Sequence, residues 1–80
     1  MPTKMVTLTR TPQLVCDGTS SFSVNTKGAS VFFAESDDQP TDLAVHDELT
    51  GRLGFGPNVM IWMWVDTDYG PTIAVTSWFE

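Results

Sequence analysis

Cysteine is nearly missing from this chain. Its 80 residues contain only Cys16, so no disulfide can form within one copy. A lone cysteine fits synthesis in a reducing compartment such as a bacterial cytoplasm. Histidine is equally scarce, and one cysteine with the single His46 cannot supply the paired spacing of a zinc site. Basic residues are few: four Lys and Arg stand against ten Asp and Glu, for a formal net charge of −6 and a pI near 4.3. That balance opposes unspecific binding to nucleic acid or to an anionic membrane. No window approaches the ~20 apolar residues of a membrane span. Met1 to Arg10 lacks the apolar run of a signal peptide. The sequence therefore reads as a soluble protein made in a cytoplasm without a cleaved leader.

Helix signals are also nearly absent. Threonine, serine, valine and aromatic residues dominate, and turn residues recur every several positions. Eighty residues make one domain, which buries only roughly 60–65% of the surface its unfolded chain exposes. Natural chains of this size lean on disulfides, metals or assembly. With the first two disfavoured, self-association or docking on a larger body remains. The charge is unevenly spread. In residues 1–30, Lys4, Arg10 and Lys27 stand against Asp17, a balance of +2; in residues 31–80, Arg52 stands against nine carboxylates, a balance of −8. A basic N-terminal part and an acidic body could attract one another between neighbouring copies.

Residues 1–13 read as an extended N-terminal arm, with Met5–Thr9 alternating like a strand and Pro12 interrupting. Residues 14–80 read as a single β-sandwich domain. Gln13–Cys16 is short and extended, and Asp17-Gly18 is a turn dipeptide. Ser21–Asn25 and Ala29–Glu35 form an expected hairpin about Lys27-Gly28. Glu35–Asp42 is an acidic loop, Leu43–Leu49 a short strand or a single helical turn, with strand preferred, and Thr50–Pro57 a glycine-rich loop. Asn58–Val65 and Thr72–Phe79 form a second expected hairpin about Asp66–Gly70. About six short strands with turns every eight to twelve residues indicate an all-β protein, a small antiparallel sandwich or barrel.

The segment Asn58-Val-Met-Ile-Trp-Met-Trp-Val65 carries the main functional signal. Side chains alternate across a strand, so Val59, Ile61, Met63 and Val65 line one face and Met60, Trp62 and Trp64 the other. A two-layer fold shelters only one face of each sheet. Leaving each large apolar side chain in water forgoes roughly 1.5–3 kcal/mol, and large exposed apolar patches mark contact sites. Another polypeptide is expected to cover the Met60, Trp62, Trp64 and Trp78 face; the alternative is that the N-terminal arm folds back over it. Lys4, Arg10 and Lys27 would meet carboxylates on a neighbour.

Other candidates carry less chemistry. Asp66-x-Asp68-x-Gly70 resembles the opening of a calcium loop, but Pro71 follows and Ser77 stands where the twelfth-position glutamate belongs. His46-Asp47-Glu48 with a distant Cys16 would need the fold to build a nucleophile, and no nucleophile motif surrounds Cys16. The carboxylates of residues 35–42 suit a solvated loop. Gly51–Gly56 fits neither the P-loop nor the dinucleotide fingerprint. A tryptophan platform for single-stranded nucleic acid normally accompanies a basic groove, and this half of the chain is acidic. No catalytic residue, cofactor or metal is expected.

The order of segments in Ser21–Thr76 resembles a set of small β-rich virion proteins of tailed bacteriophages. The residues that carry the resemblance are Val24-Asn-Thr-Lys-Gly28, Phe32-Phe-Ala-Glu-Ser36, the acidic loop Asp37–Asp42, His46 three places before Leu49, a glycine-containing loop, a tryptophan strand, and Ile73-Ala-Val-Thr76. The match leaves out Met1–Gln13 and Ser77–Glu80, and the pair Trp62 and Trp64 is richer than the pattern. The resemblance implies a non-enzymatic head decoration, cement or head-fibre subunit located in the virion. Its partners would be itself, as a homo-oligomer such as a trimer, and a capsid or other virion protein, with no nucleic acid or membrane. Two other classes stay open: a small acidic inhibitor whose carboxylates at 35, 37, 38, 42, 47, 66 and 68 mimic phosphates, and a carbohydrate-binding module at a fibre tip.

Overall fold

The computed structural model describes residues 3–44 and 46–77, together with the backbone of Trp78. No helix occurs among them. Six strands follow in order: β1 (Thr3–Thr7), β2 (Gln13–Asp17), β3 (Ser21–Glu35), β4 (Asp47–Phe55), β5 (Met60–Trp64) and β6 (Thr72–Trp78). Every pairing is antiparallel, within one curled sheet. The all-β expectation therefore stands, while several of its expected connections do not.

The sheet is organised by β3, which is 15 residues long. Along one edge its first half pairs with β6, from Ser21↔Trp78 to Asn25↔Ala74. Its second half pairs on that same edge with β5, from Phe32↔Trp64 to Glu35↔Ile61. β4 runs along the other edge of both halves. Two leaves result: β1–β6 with the start of β3, and β2–β5 with its end. The core fills the space between them. Phe22, Val24, Ile73 and Val75 from the first leaf are buried with Val15, Cys16, Val31, Ile61 and Met63 from the second. Phe33 and Phe55 meet edge-on, 5.7 Å between ring centroids.

Lys27-Gly28 is thus not a hairpin turn. Residues 26–29 bulge out of β3 opposite the single Gly51 of β4, and the strand continues in the same sense beyond them. Lys27 (φ 57°), Gly28 (φ 91°) and Gly51 (φ 100°) all take left-handed backbone conformations. The sequence signal for positive φ is real, but such residues serve a bulge as well as a reversal. The bulge is pinned from both sides. The Lys27 N–H donates to Asn25 Oδ1 at 2.9 Å, and the Gly51 N–H donates to the buried Thr26 hydroxyl at 2.7 Å.

The second expected hairpin is also absent: β5 and β6 follow one another in sequence but do not pair. The backbone of Leu8 and Thr9 lies between their ends. Leu8 N–H donates to Pro71 O, Gly70 N–H to Leu8 O, and Val65 N–H to Thr9 O, each at 3.0 Å. Nor is the N-terminal segment a free arm, since Thr3–Thr7 is a strand registered on β6 from Thr3↔Thr76 to Thr7↔Thr72. Threonine hydroxyl pairs close both ends of that ladder, at 2.8 and 2.9 Å. The glycine-rich stretch Thr50–Phe55 belongs to β4 rather than to a loop, and of Leu43–Leu49 only Asp47–Leu49 is strand. Among the described residues β4 pairs with β3 alone.

The wedge at Leu8 explains Gly70. A Cβ there would overlap the Leu8 carbonyl and the Val65 side chain, and the Leu8 atoms are main chain that cannot swing aside. Gly70→Ala is expected to lose about 1–3 kcal/mol, as overpacking does elsewhere. Urea unfolding monitored by tryptophan fluorescence measures it, and a midpoint equal to that of the parent chain would contradict the wedge.

Candidate contact surface

The strand β5 answers the problem of its two apolar faces with the chain's own loop. Ile61 and Met63 point into the core at 4% and 0% exposure. On the opposite face Trp64 is 2% exposed, while Met60 and Trp62 are half-buried. The cover is formed by residues 36–44 and His46, which lie across this face as a strap. Its Ser36 N–H donates to Met60 O at 3.1 Å, and Ser36 O accepts from Trp62 Nε1 at 2.9 Å. Farther along, Gln39 Nε2 donates to the carbonyl of Pro12 at 2.9 Å. The strap ends at His46, whose ring lies 4.4 Å from that of Phe32 and 5.9 Å from that of Trp64. Nδ1 of His46 donates to Leu43 O at 2.7 Å, which fixes the ring over both aromatics.

Trp64 is therefore a packing residue and not an exposed anchor. Its cover comes from within the chain, and Arg10 of the N-terminal segment borders it beside Phe32 and Leu43. The strap leaves part of the face open. Leu14 of β2, Trp62 of β5 and Ala34 of β3 stand directly opposite one another across three adjacent strands, with Leu14 37% exposed. Met60 continues the row toward Asp17. Trp62 has its one polar group bound internally, so the rest of the indole offers apolar surface alone. Leu14 escapes a sequence reading because β2 holds a bulge: the register slips between Leu14 and Cys16, placing both Val15 and Cys16 inside. The side chain of Trp78 lies outside the described residues.

The three expected cationic contacts occupy separate places. Lys4 lies opposite Val75 and lines a cleft with Asp17, Thr19, Ser20, Phe22 and Ser77. Arg10 is engaged within its own chain, its Nε donating to Asp66 O at 3.1 Å and lying 3.6 Å from Asp68 Oδ1. Lys27 is exposed on the β3 bulge. They do not form one basic patch. The Asp66–Gly70 turn is tied to Arg10 through the same contacts. Among the described residues no three of His, Cys, Asp and Glu are grouped to hold a metal ion.

Cys16 is fully buried, and its thiol is pushed up to about 12, first by burial, then by the Asp17 carboxylate, with Lys4 opposing. It is protonated at neutral pH and unfit as a nucleophile. Asp17 itself is held below the ordinary carboxylate range because the Thr19 hydroxyl and N–H donate to it, at 2.7 and 3.1 Å. Comparison with known proteins adds no relative: no protein-family model, curated protein or solved structure matches the chain.

The thiol gives a prediction with a definite sign. A raised folded-state pKa favours the protonated, native form, so its contribution is complete below the unfolded value of 9.0 and is lost as pH rises toward about 12. Native protein at pH 8 should resist iodoacetamide while urea-unfolded protein is alkylated. Cys16→Ala should flatten the loss of stability over that alkaline window. Rapid labelling of folded protein would overturn the assignment.

Proposed function

We propose that the chain is a non-enzymatic structural component of a phage particle, a head decoration, cement or head-fibre subunit that acts by contact. Its partners are further copies of itself and a capsid or other virion protein, and its place is the virion. The observation that carries this reading is the row Leu14–Trp62–Ala34, with Met60 beside it. Leu14 is exposed and Trp62, Ala34 and Met60 are only half-buried after the strap has covered the rest of the face.

A chain of this size gains from covering such a row, and a central tryptophan with an internally satisfied N–H suits a dry contact. The strap supports the reading in a second way. By holding Ser36, Gln39 and His46 on this side of the sheet, it fixes the rim around Trp62 before any partner arrives, which lowers the ordering cost of association. The order of segments in Ser21–Thr76, similar to that of tailed-phage virion proteins, supplies the phage context.

Mass spectrometry of purified particles tests the reading directly. A stoichiometric signal supports it. Absence from particles, together with binding to a host nucleic-acid enzyme, supports the acidic-inhibitor class instead. Trp62→Asp should keep the fold and lower particle occupancy roughly thirtyfold or more, the ~2 kcal/mol of a central aromatic anchor. Trp64→Asp should unfold the chain instead, because it places a charge at a 2% exposed site. Unchanged occupancy with Trp62→Asp would count against the contact row.

A further inference from the structure

We infer that β4 is a self-complementary edge through which two copies of this chain pair antiparallel about a two-fold axis at Thr50. β4 hydrogen-bonds to β3 alone, so among the described residues its outer edge has no strand partner. Glu48, Thr50, Arg52, Leu53 and Gly54 along it are all exposed. An unpaired strand edge of nine residues is a template for another strand.

Two hydrogen bonds fix which main-chain groups face outward. The Gly51 N–H points toward β3, where it donates to Thr26 Oγ1. The Glu48 N–H does not, since it donates to the neighbouring Asp47 carboxylate at 2.8 Å. Alternation along the strand then turns the main chain of Glu48, Thr50 and Arg52 away from β3. These three residues also share one sheet face, because they lie opposite Phe32, Ser30 and Asn25 on the convex side of β3.

The side chains select one register. When Thr50 of one copy opposes Thr50 of the other, Glu48 opposes Arg52 of the other copy, twice over. All three pairs then fall at hydrogen-bonded positions, with the Glu48 N–H exchanging its Asp47 carboxylate for the Arg52 carbonyl of the other copy. Neighbouring two-fold registers on the same face set Glu48 against Thr50 or against Gly54 and lose both ion pairs. Within one chain, neither Glu48 nor Arg52 makes an ion pair among the described residues, so both are available. Gly51 falls at a non-hydrogen-bonded position, so its left-handed backbone does not interrupt the new ladder. On the concave side, Leu53, 38% exposed, comes opposite Asp47 and diagonal to Leu49 of the other copy. The Ser30–Thr50 hydroxyl pair, at 2.8 Å, becomes half of a ladder running through both copies.

This pairing does not depend on a place in a virion, and it leaves the Leu14–Trp62 row, at the far side of β5, free for a different partner. The test is sedimentation velocity on the full chain, with circular dichroism to confirm the fold. The parent chain should sediment as a dimer. Glu48→Arg and Arg52→Glu, each alone, place two like-charge pairs at the contact and should weaken dimerisation at least about tenfold. An equimolar mixture of those two variants restores both ion pairs and should regain the dimer as a heterodimer. Thr50→Pro removes two central N–H donors at an edge position that tolerates proline, and should give a folded monomer. A monomeric or trimeric parent chain, or a mixture no tighter than its separate components, would overturn the pairing. So would a dimer indifferent to Thr50→Pro.

Discussion

A straight strand cannot fit in this molecule at the length of β3. Fifteen residues at ~3.3 Å each would span about 50 Å, whereas the longest dimension of the molecule is 33 Å. The bulge at residues 26–29 resolves the conflict. It lets one continuous segment serve two leaves whose inward side chains then face each other. Phe22 and Val24 precede it and Val31 and Phe33 follow it, so the core exists only because the strand turns between these pairs. The left-handed backbone at Lys27, Gly28 and Gly51, and the Thr26 hydroxyl buried beneath, are the local conditions for that turn. Every other pairing inherits its position from it, since β4, β5 and β6 all register on β3.

This arrangement also decides the fate of the tryptophans. β5 reaches β3 only beyond the bulge, in the leaf whose convex face carries Phe32, Trp62 and Trp64. The segment leaving the end of β3 must return to start β4 at Asp47 beside Phe33, and the shortest way back crosses that convex face. The acidic residues 37, 38 and 42 are exposed on this crossing; His46 and Leu43 are exposed too, but the His46 ring lies against Phe32 and Trp64, and Leu43 borders the same aromatics. A loop read from composition as merely solvated is thus also a cover. Its polar residues meet water, and its main chain and few apolar groups meet the sheet.

Strand content and the two faces of β5 were legible because alternation is a local property of the chain. Ile61, Met63 and Val65 lie inside, on the face opposite Trp62, as the period of two requires. Pairing was not legible, because both expected hairpins rested on short turn segments that report backbone conformation and not direction. Lys27-Gly28 has the positive φ it advertises, yet the chain runs onward. The Asp66–Gly70 turn forms, yet Leu8 and Thr9, some sixty residues earlier, take the hydrogen-bonding positions between β5 and β6. The glycines of β4 looked like loop residues because nothing local marks an edge strand. Of the surface residues named from sequence, Trp62 and Met60 keep an open position. Trp64 loses it to a strap whose path depends on where β4 begins.

The chemically versatile side chains are occupied in packing. Cys16 is buried and protonated beside the bulge of β2, and His46 is held by a carbonyl on one side and two aromatic rings on the other. A reactive role for Cys16 would require dismantling the β2 bulge that buries it, whereas His46 stays exposed on the strap. The surfaces meet no such conflict. The Leu14–Trp62–Ala34 row lies on a face across β2, β5 and β3, and the outer edge of β4 runs along the margin beyond β3. A thin sheet of six strands, with one extent of only 15 Å, offers much face and edge for the volume of its core, and both stay in place without any rearrangement of the strands.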